Sequence, residues 1–206
     1  MDGPLTRERI LDAAEDALRR FGPGKATVVD VARALGVSHG SVYRHFPSKA
    51  ALRGAVTAAW LARISGSLEI VADTETPAVE RLDAWLRELI ETKRAKAAED
   101  PELFETYVIL TIEQAEVTAA HVEELVAQLT RIVADGVARG EIVSEDPAAT
   151  GRAILHATSR FHNPANRAEW ADPEIDAQFD AVWSLLQRGL TKGLKKQAKA
   201  RAASTR

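Results

Sequence analysis

Thr27 to Lys49, TVVDVARALGVSHGSVYRHFPSK, constrains this chain more than any other stretch, because two helix-start signals and one helix-stop signal fall within it. Thr27 is a good N-cap, and Asp30 is three residues on, where its carboxylate reaches back to close a capping box. Val28, Val31, Ala32 and Leu35 follow at i, i+3, i+4 and i+7, which predicts one apolar stripe turned inward. Gly36 ends that helix, since a residue without Cβ takes the left-handed conformation a C-cap needs. Ser38 is placed to cap a second helix, and Val37 can staple onto Val42. The pattern predicts a helix, a glycine turn and a short capped helix.

Val42 and Phe46, one turn apart, can anchor the second helix, so its opposite face carries Gly40, Ser41 and Arg44, with Tyr43 and His45 beside them and His39 in the first turn. A helix of roughly two turns is too short to fold by itself, so its polar, aromatic and basic outward residues call for another role. Glycine costs about 1 kcal/mol relative to alanine inside a helix, and close approach of another backbone would account for Gly40. Its place in the first turn, where glycine costs little, accounts for it equally, as plain solvation does for Arg44.

Thr27 to Leu52 resembles the DNA-binding signature of the tetracycline-repressor (TetR) family of bacterial regulators. In that family a GVSxGxxYxHFxxKxxL-like run carries the recognition helix, and here it stands as GVSHGSVYRHFPSKAAL. Val29 departs from the pattern, standing where the family often has a basic or polar residue, which leaves readout more dependent on the second helix. The resemblance implies that Thr27, Tyr43 and Lys49 hold phosphates. Chemistry adds Ser38, His39, Gly40, Ser41, Arg44 and His45 to a DNA-facing set, with Arg44 as the natural bidentate partner of guanine.

The net charge of -3 conceals an uneven distribution. Residues 1–55 hold 9 Lys+Arg against 6 Asp+Glu, residues 56–187 hold 11 against 24, and residues 188–206 hold 7 against none. An acidic body is repelled by DNA, so the mildly basic head is the folded part expected to meet phosphates. There is no cysteine, which excludes disulfides and thiolate zinc sites. Met1 is followed by Asp2, Gly3 and Pro4, not by a basic region and an apolar run, and no window approaches the roughly 20 uninterrupted apolar residues of a membrane span. A cytoplasmic protein without membrane attachment is expected.

Helical spacing recurs to the end, and no alternating strand pattern appears, so the expected class is all-α. A first helix over 5–21 turns Ile10, Ala13, Ala14, Ala17, Leu18 and Phe21 to one side and is stopped by Gly22–Lys25. Ser48 caps a helix running to about Gly66, and Ser65–Pro77 reads as a polar interruption. Further helices are expected over Ala78–Lys96, from Asp100–Pro101, over His121–Arg139, from Asp146–Pro147 to before Pro164, and from Asp172–Pro173. The expected domains are a three-helix head over 1–47, a larger helical domain over 48–195 for ligand binding and dimerisation, and a basic, frayed tail over 196–206.

The resemblance also implies a homodimer whose last two helices pair with the same two from a second subunit. That would place Ala149, Ala153, Ala157, Phe179, Val182, Trp183, Leu186 and Leu190 at the interface, unless they pack within one subunit. A dimer reads a palindromic operator in double-stranded DNA with half-sites about 34 to 36 Å apart. The family's larger domain holds a small-molecule cavity, here for an apolar or amphipathic effector. Candidate lining residues are Trp85, Leu89, Phe104, Tyr107, Thr111, His121, Leu125, His156, Phe161 and His162. The competing reading keeps the head but uses the body as a protein-interaction surface. The histidines lack metal-ligand spacing, His156 and Ser159 have no acidic residue nearby to complete a triad, and no phosphate-binding loop exists. Neither catalysis nor a cofactor is expected.

Overall fold

The computed structural model describes residues 4–191, so the basic tail over 196–206 lies outside the described residues. Those residues form α1 (Arg7–Lys25), α2 (Val28–Leu35), α3 (His39–His45), α4 (Lys49–Ala72), α5 (Ala78–Glu99), α6 (Pro101–Glu113), α7 (Ala115–Ala138), α8 (Pro147–Ala157), α9 (Ser159–His162), a 3₁₀ helix (Pro164–Ala171) and α10 (Ile175–Thr191). Among them there is no strand, and the all-α class holds.

The chain groups into two compact units. One takes residues up to 63 together with 95–121, and the other takes 64–94 with residues from 122 onward. The first unit contains α1, α2, α3, the start of α4, the end of α5, α6 and the start of α7. Its core is Ile10, Ala14, Leu18, Val31, Val42, Phe46, Val56, Trp60, Phe104, Tyr107 and Leu110. In the second unit Ile64, Leu68, Leu82, Trp85, Leu86, Leu89, Leu129, Ile132, Val133, Phe161 and Phe179 are buried.

Several boundaries differ from those the sequence suggests. Gly22–Lys25 does not end α1: Gly22, at φ 73° and ψ 169°, kinks it, and the helix resumes to Lys25 with Pro23 inside. Phe21, expected inward, is 40% exposed at that kink. The polar interruption shrinks, because α4 passes through Ser65 and Gly66 to Ala72. Ile64, Leu68 and Ala72 stay buried at helical spacing, and their burial outweighs the cost of one glycine. Likewise α7 begins at Ala115 rather than His121, its first turns being alanine-rich and without an apolar stripe to announce them. The helix that should have run to Pro164 breaks at Thr158. The Thr158 hydroxyl donates to the Ile154 carbonyl (2.9 Å), the kind of side-chain competition that bends helices. Residues 164–171, between the two helices expected on either side, form a 3₁₀ helix.

By length and mean hydropathy (1.2) α4 is the one helix among the described residues that could cross a membrane. Its large side chains Leu52, Val56, Trp60, Leu61, Ile64 and Leu68 are instead buried in protein.

Candidate functional site

Local signals position the two short helices as the sequence requires. The Thr27 hydroxyl accepts from the Asp30 N–H (3.2 Å), and the Asp30 carboxylate takes the Thr27 N–H (3.1 Å) and its hydroxyl (2.5 Å). The Thr27 hydroxyl, foremost, holds the Asp30 carboxyl below its usual range, with the Thr27 N–H and Arg33 adding to the effect. Gly36 sits at φ 68°, ψ 28°, and turns the chain into α3. There the Ser38 hydroxyl accepts from the Ser41 N–H (3.2 Å). Val42 and Phe46, 0% and 2% exposed, hold the inner face of α3.

A further fastening joins residues far apart in the chain and has no local signature. Arg7 of α1 donates to the His45 carbonyl (2.7 Å) and lies over the Phe46 ring at 4.2 Å. A cation thus satisfies an orphan carbonyl at the C-terminal end of α3, where the helix dipole favours positive charge. With its inner face anchored and its end clamped, this seven-residue helix has a fixed outer face.

That outer face carries the expected residues. Ser38, His39, Gly40, Tyr43 and Arg44 are exposed, and Ser41 and His45 are half-buried. Thr27 and Lys49 are exposed at the starts of α2 and α4. Arg44 donates to the Ser41 hydroxyl (3.1 Å), and the His39 and Tyr43 rings meet edge-on at 6.3 Å. A Cβ on Gly40 would meet only the Ser38 hydroxyl, at 3.7 Å, so nothing within the protein requires glycine there. Val29 is 51% exposed beside this face.

The ten ligand candidates do not gather in one place. Phe104 and Tyr107 line a pocket of about 110 Å³ in the first unit, whose other walls include Glu15 and Arg19 of α1, Trp60 and Arg63 of α4, and Lys96, Glu99 and Asp100. Trp60 stacks on Tyr107 at 4.3 Å, and Phe104 meets Trp60 edge-on at 6.3 Å. Thr111 is half-buried and His121 is buried, both in the first unit. The remaining candidates belong to the second unit. There Trp85, Leu89, Leu125 and Phe161 are buried, whereas His156 is exposed. The Trp85 indole donates to Gln128 (2.9 Å), which donates in turn to the Ser65 carbonyl (3.1 Å). Nothing in the spacing of Trp60 marks it in the sequence as a pocket wall.

His162 is buried with its Nε2 3.2 Å from the Leu155 carbonyl oxygen. Burial, with the charge of Lys93, lowers its pKa to about 3. Lys93 itself is 7% exposed, and burial lowers its pKa to about 8. It was missed although a signal existed, since Trp85, Leu89 and Lys93 follow at successive i+4 steps. Of the expected interface residues, Phe179, Trp183 and Leu190 are buried within the single chain and Val182 and Leu186 are half-buried. Ala149, Ala153 and Ala157 are exposed, as is Leu185 at 64%, a residue absent from the expected set.

The family profile described as "Bacterial regulatory proteins, tetR family" matches residues 10–56, and that described as "Tetracyclin repressor-like, C-terminal domain" matches 78–183. Among curated relatives, the HTH-type transcriptional regulator TtgR of Pseudomonas putida is 43% identical over 47 residues, which cover 23% of this chain and 22% of TtgR. The chain therefore matches only about a fifth of that relative's length. Among solved structures, the regulator FadR from Bacillus subtilis, in complex with stearoyl-CoA, superposes with a TM-score of 0.65 at 18% identity, covering 90% of this chain and 100% of FadR. SmeT, the repressor of a Stenotrophomonas maltophilia multidrug efflux pump, gives 0.64 at 20% identity, covering 92% and 93%. Both likenesses concern the fold. With one profile on the head and a second spanning more than half the chain, the protein belongs to the TetR family of bacterial regulatory proteins.

Proposed function

We propose that the protein is a cytoplasmic, homodimeric transcriptional repressor that reads a palindromic operator and is released from it by a small apolar or amphipathic effector. The observation that carries this reading is α3, anchored by Val42 and Phe46, clamped by Arg7, and presenting His39, Ser41, Tyr43 and Arg44 outward. A helix so short and so firmly held has a fixed outer face, which suits insertion into a major groove. Arg44 and His39 are assigned to base edges. Thr27, Tyr43, His45 and Lys49 are assigned to phosphates, with Ser38, Gly40 and Ser41 allowing close approach. FadR, crystallised with an acyl-CoA, and SmeT, a repressor, share the fold and support an effector-responsive repressor. The protein acts by binding, without a catalytic step.

The test is selection of the purified protein on random duplexes, with sequencing of the retained fraction across a salt series. The expected result is one enriched palindrome with half-sites about one helical turn apart. Retention without enrichment, lost steeply as salt rises, would reduce binding to phosphate attraction and end the repressor reading.

A further inference from the structure

The pocket against α1 has a shape and a chemistry that narrow its occupant. At about 110 Å³ it is somewhat smaller than the cavity of about 150 Å³ known to admit benzene, but it opens at its mouth and so has room for a single ring. An aromatic group forms one side of it: Trp60 and Tyr107 lie parallel, with Phe104 edge-on to Trp60, and the remaining walls are Leu103 and charged side chains. The charges at its rim are already matched. Arg63 meets Glu15 at 2.8 Å, Arg19 meets Asp100 at 2.9 Å, and Lys96 meets Glu99 at 3.4 Å. An ionic ligand would find no uncompensated opposite charge to offset its own desolvation.

One group in the pocket is left over. The Tyr107 hydroxyl is buried and closes no hydrogen bond of normal geometry, although Glu15 and Arg63 flank it. Burial, foremost, keeps it protonated far above neutral pH, so it remains an O–H donor. The carboxylate that flanks it has spare capacity. Glu15 Oε2 takes Arg63 at 2.8 Å, whereas Oε1 has only a long approach from Arg19 at 3.8 Å.

We infer that this pocket binds a neutral single-ring phenol, its ring against Trp60 and Phe104, its oxygen accepting from the Tyr107 hydroxyl and its O–H donating to Glu15. Glu15 belongs to α1, a helix of the DNA-binding head, and Tyr107 belongs to α6, so such a ligand bridges the two helices. Binding therefore favours whichever arrangement of α1 and α6 leaves the pocket open. Only this consequence for operator release rests on the repressor reading.

The full-length protein is titrated calorimetrically with phenol, and with benzoate, benzylammonium and anisole as charged and donor-less comparators. Saturable phenol binding is expected, with each comparator weaker by about tenfold for the ions and about three- to tenfold for anisole. Tyr107→Phe keeps the ring and removes only an unpaired hydroxyl, so it should leave the melting temperature no lower and weaken phenol by about three- to tenfold. Absence of phenol binding, or anisole binding as tightly as phenol, overturns the assignment, as does equal phenol affinity in a folded Tyr107→Phe protein. Phenol binding that persists in a protein retaining no preferred duplex leaves the site standing and ends the repressor reading instead.

Discussion

Lys93 lies in the second unit with no carboxylate within ion-pair distance among the described residues, and burial lowers its pKa from 10.5 to about 8. Below pH 8 the folded protein carries a buried charge that the unfolded chain would keep in water. The folding cost is then full, about 3 kcal/mol, and it is relieved as pH rises from 8 to 10.5, because there the unfolded state holds the extra proton. Lys93→Met is expected to raise the stability at pH 7 by about 2–3 kcal/mol and to abolish most of the rise between pH 8 and 10.5, as read by urea denaturation at several pH values. An unchanged midpoint at pH 7 would mean the ammonium finds water. His162 acts in a lower window. Its neutral ring stabilises the fold above 6.5, and that contribution is lost as pH falls toward about 3. On the head, Arg44→Ala is expected to change the preferred base at one operator position. Lys49→Ala is expected instead to lower affinity for all sequences and to reduce the salt slope by about 1, both read from the duplex selection.

Among elements, α7 and α8 make the closest approach between backbones that a glycine reveals. A Cβ on Gly151 would lie 3.0 Å from the Thr130 nitrogen, 3.2 Å from its hydroxyl and 3.3 Å from the Leu129 carbonyl carbon. Two of these neighbours are backbone and cannot swing aside. Gly151→Ala is therefore expected to destabilise by about 1–3 kcal/mol despite alanine's better helix propensity. Gly66, exposed in α4 with nothing within 4 Å of such a Cβ, supplies the opposite case, and Gly66→Ala should stabilise by about 0.5–1 kcal/mol. Thermal melts of the two variants check both signs, and a shift in the same direction for both would remove the packing explanation. Apart from these contacts, the elements follow their punctuation closely where caps exist. Asp100, Asp146 and Asn163 each accept backbone N–H groups at a helix start. Where caps are absent, as at the N-terminal end of α7, the boundary was not legible, because alanine-rich sequence is helical without being periodic.

On the scale of the whole molecule, the proposed dimer places α10 in contact with a second copy, and Leu185, 64% exposed on that helix, is the residue to test. Leu185→Glu is expected to halve the mass seen by light scattering while leaving the circular dichroism melt of the chain unchanged at low concentration. Operator affinity should fall by more than tenfold as the second head is lost. A variant that stays dimeric would move the interface off this face of α10. By itself the sequence determined the all-α class, the α2 and α3 pair and the outward side of α3, because capping, the glycine turn and 3.6-residue periodicity are local and act within a few residues. Only the tertiary structure decided which apolar stripes close on one another and where the chain must continue as helix. It carried α4 past Gly66 and clamped α3 through Arg7, thirty-eight residues away in sequence. It also brought Glu15, Trp60 and Tyr107 around one pocket while leaving Lys93 without a carboxylate partner among the described residues. Each of these depends on side chains distant in sequence meeting at short range, and no local pattern encodes such a meeting.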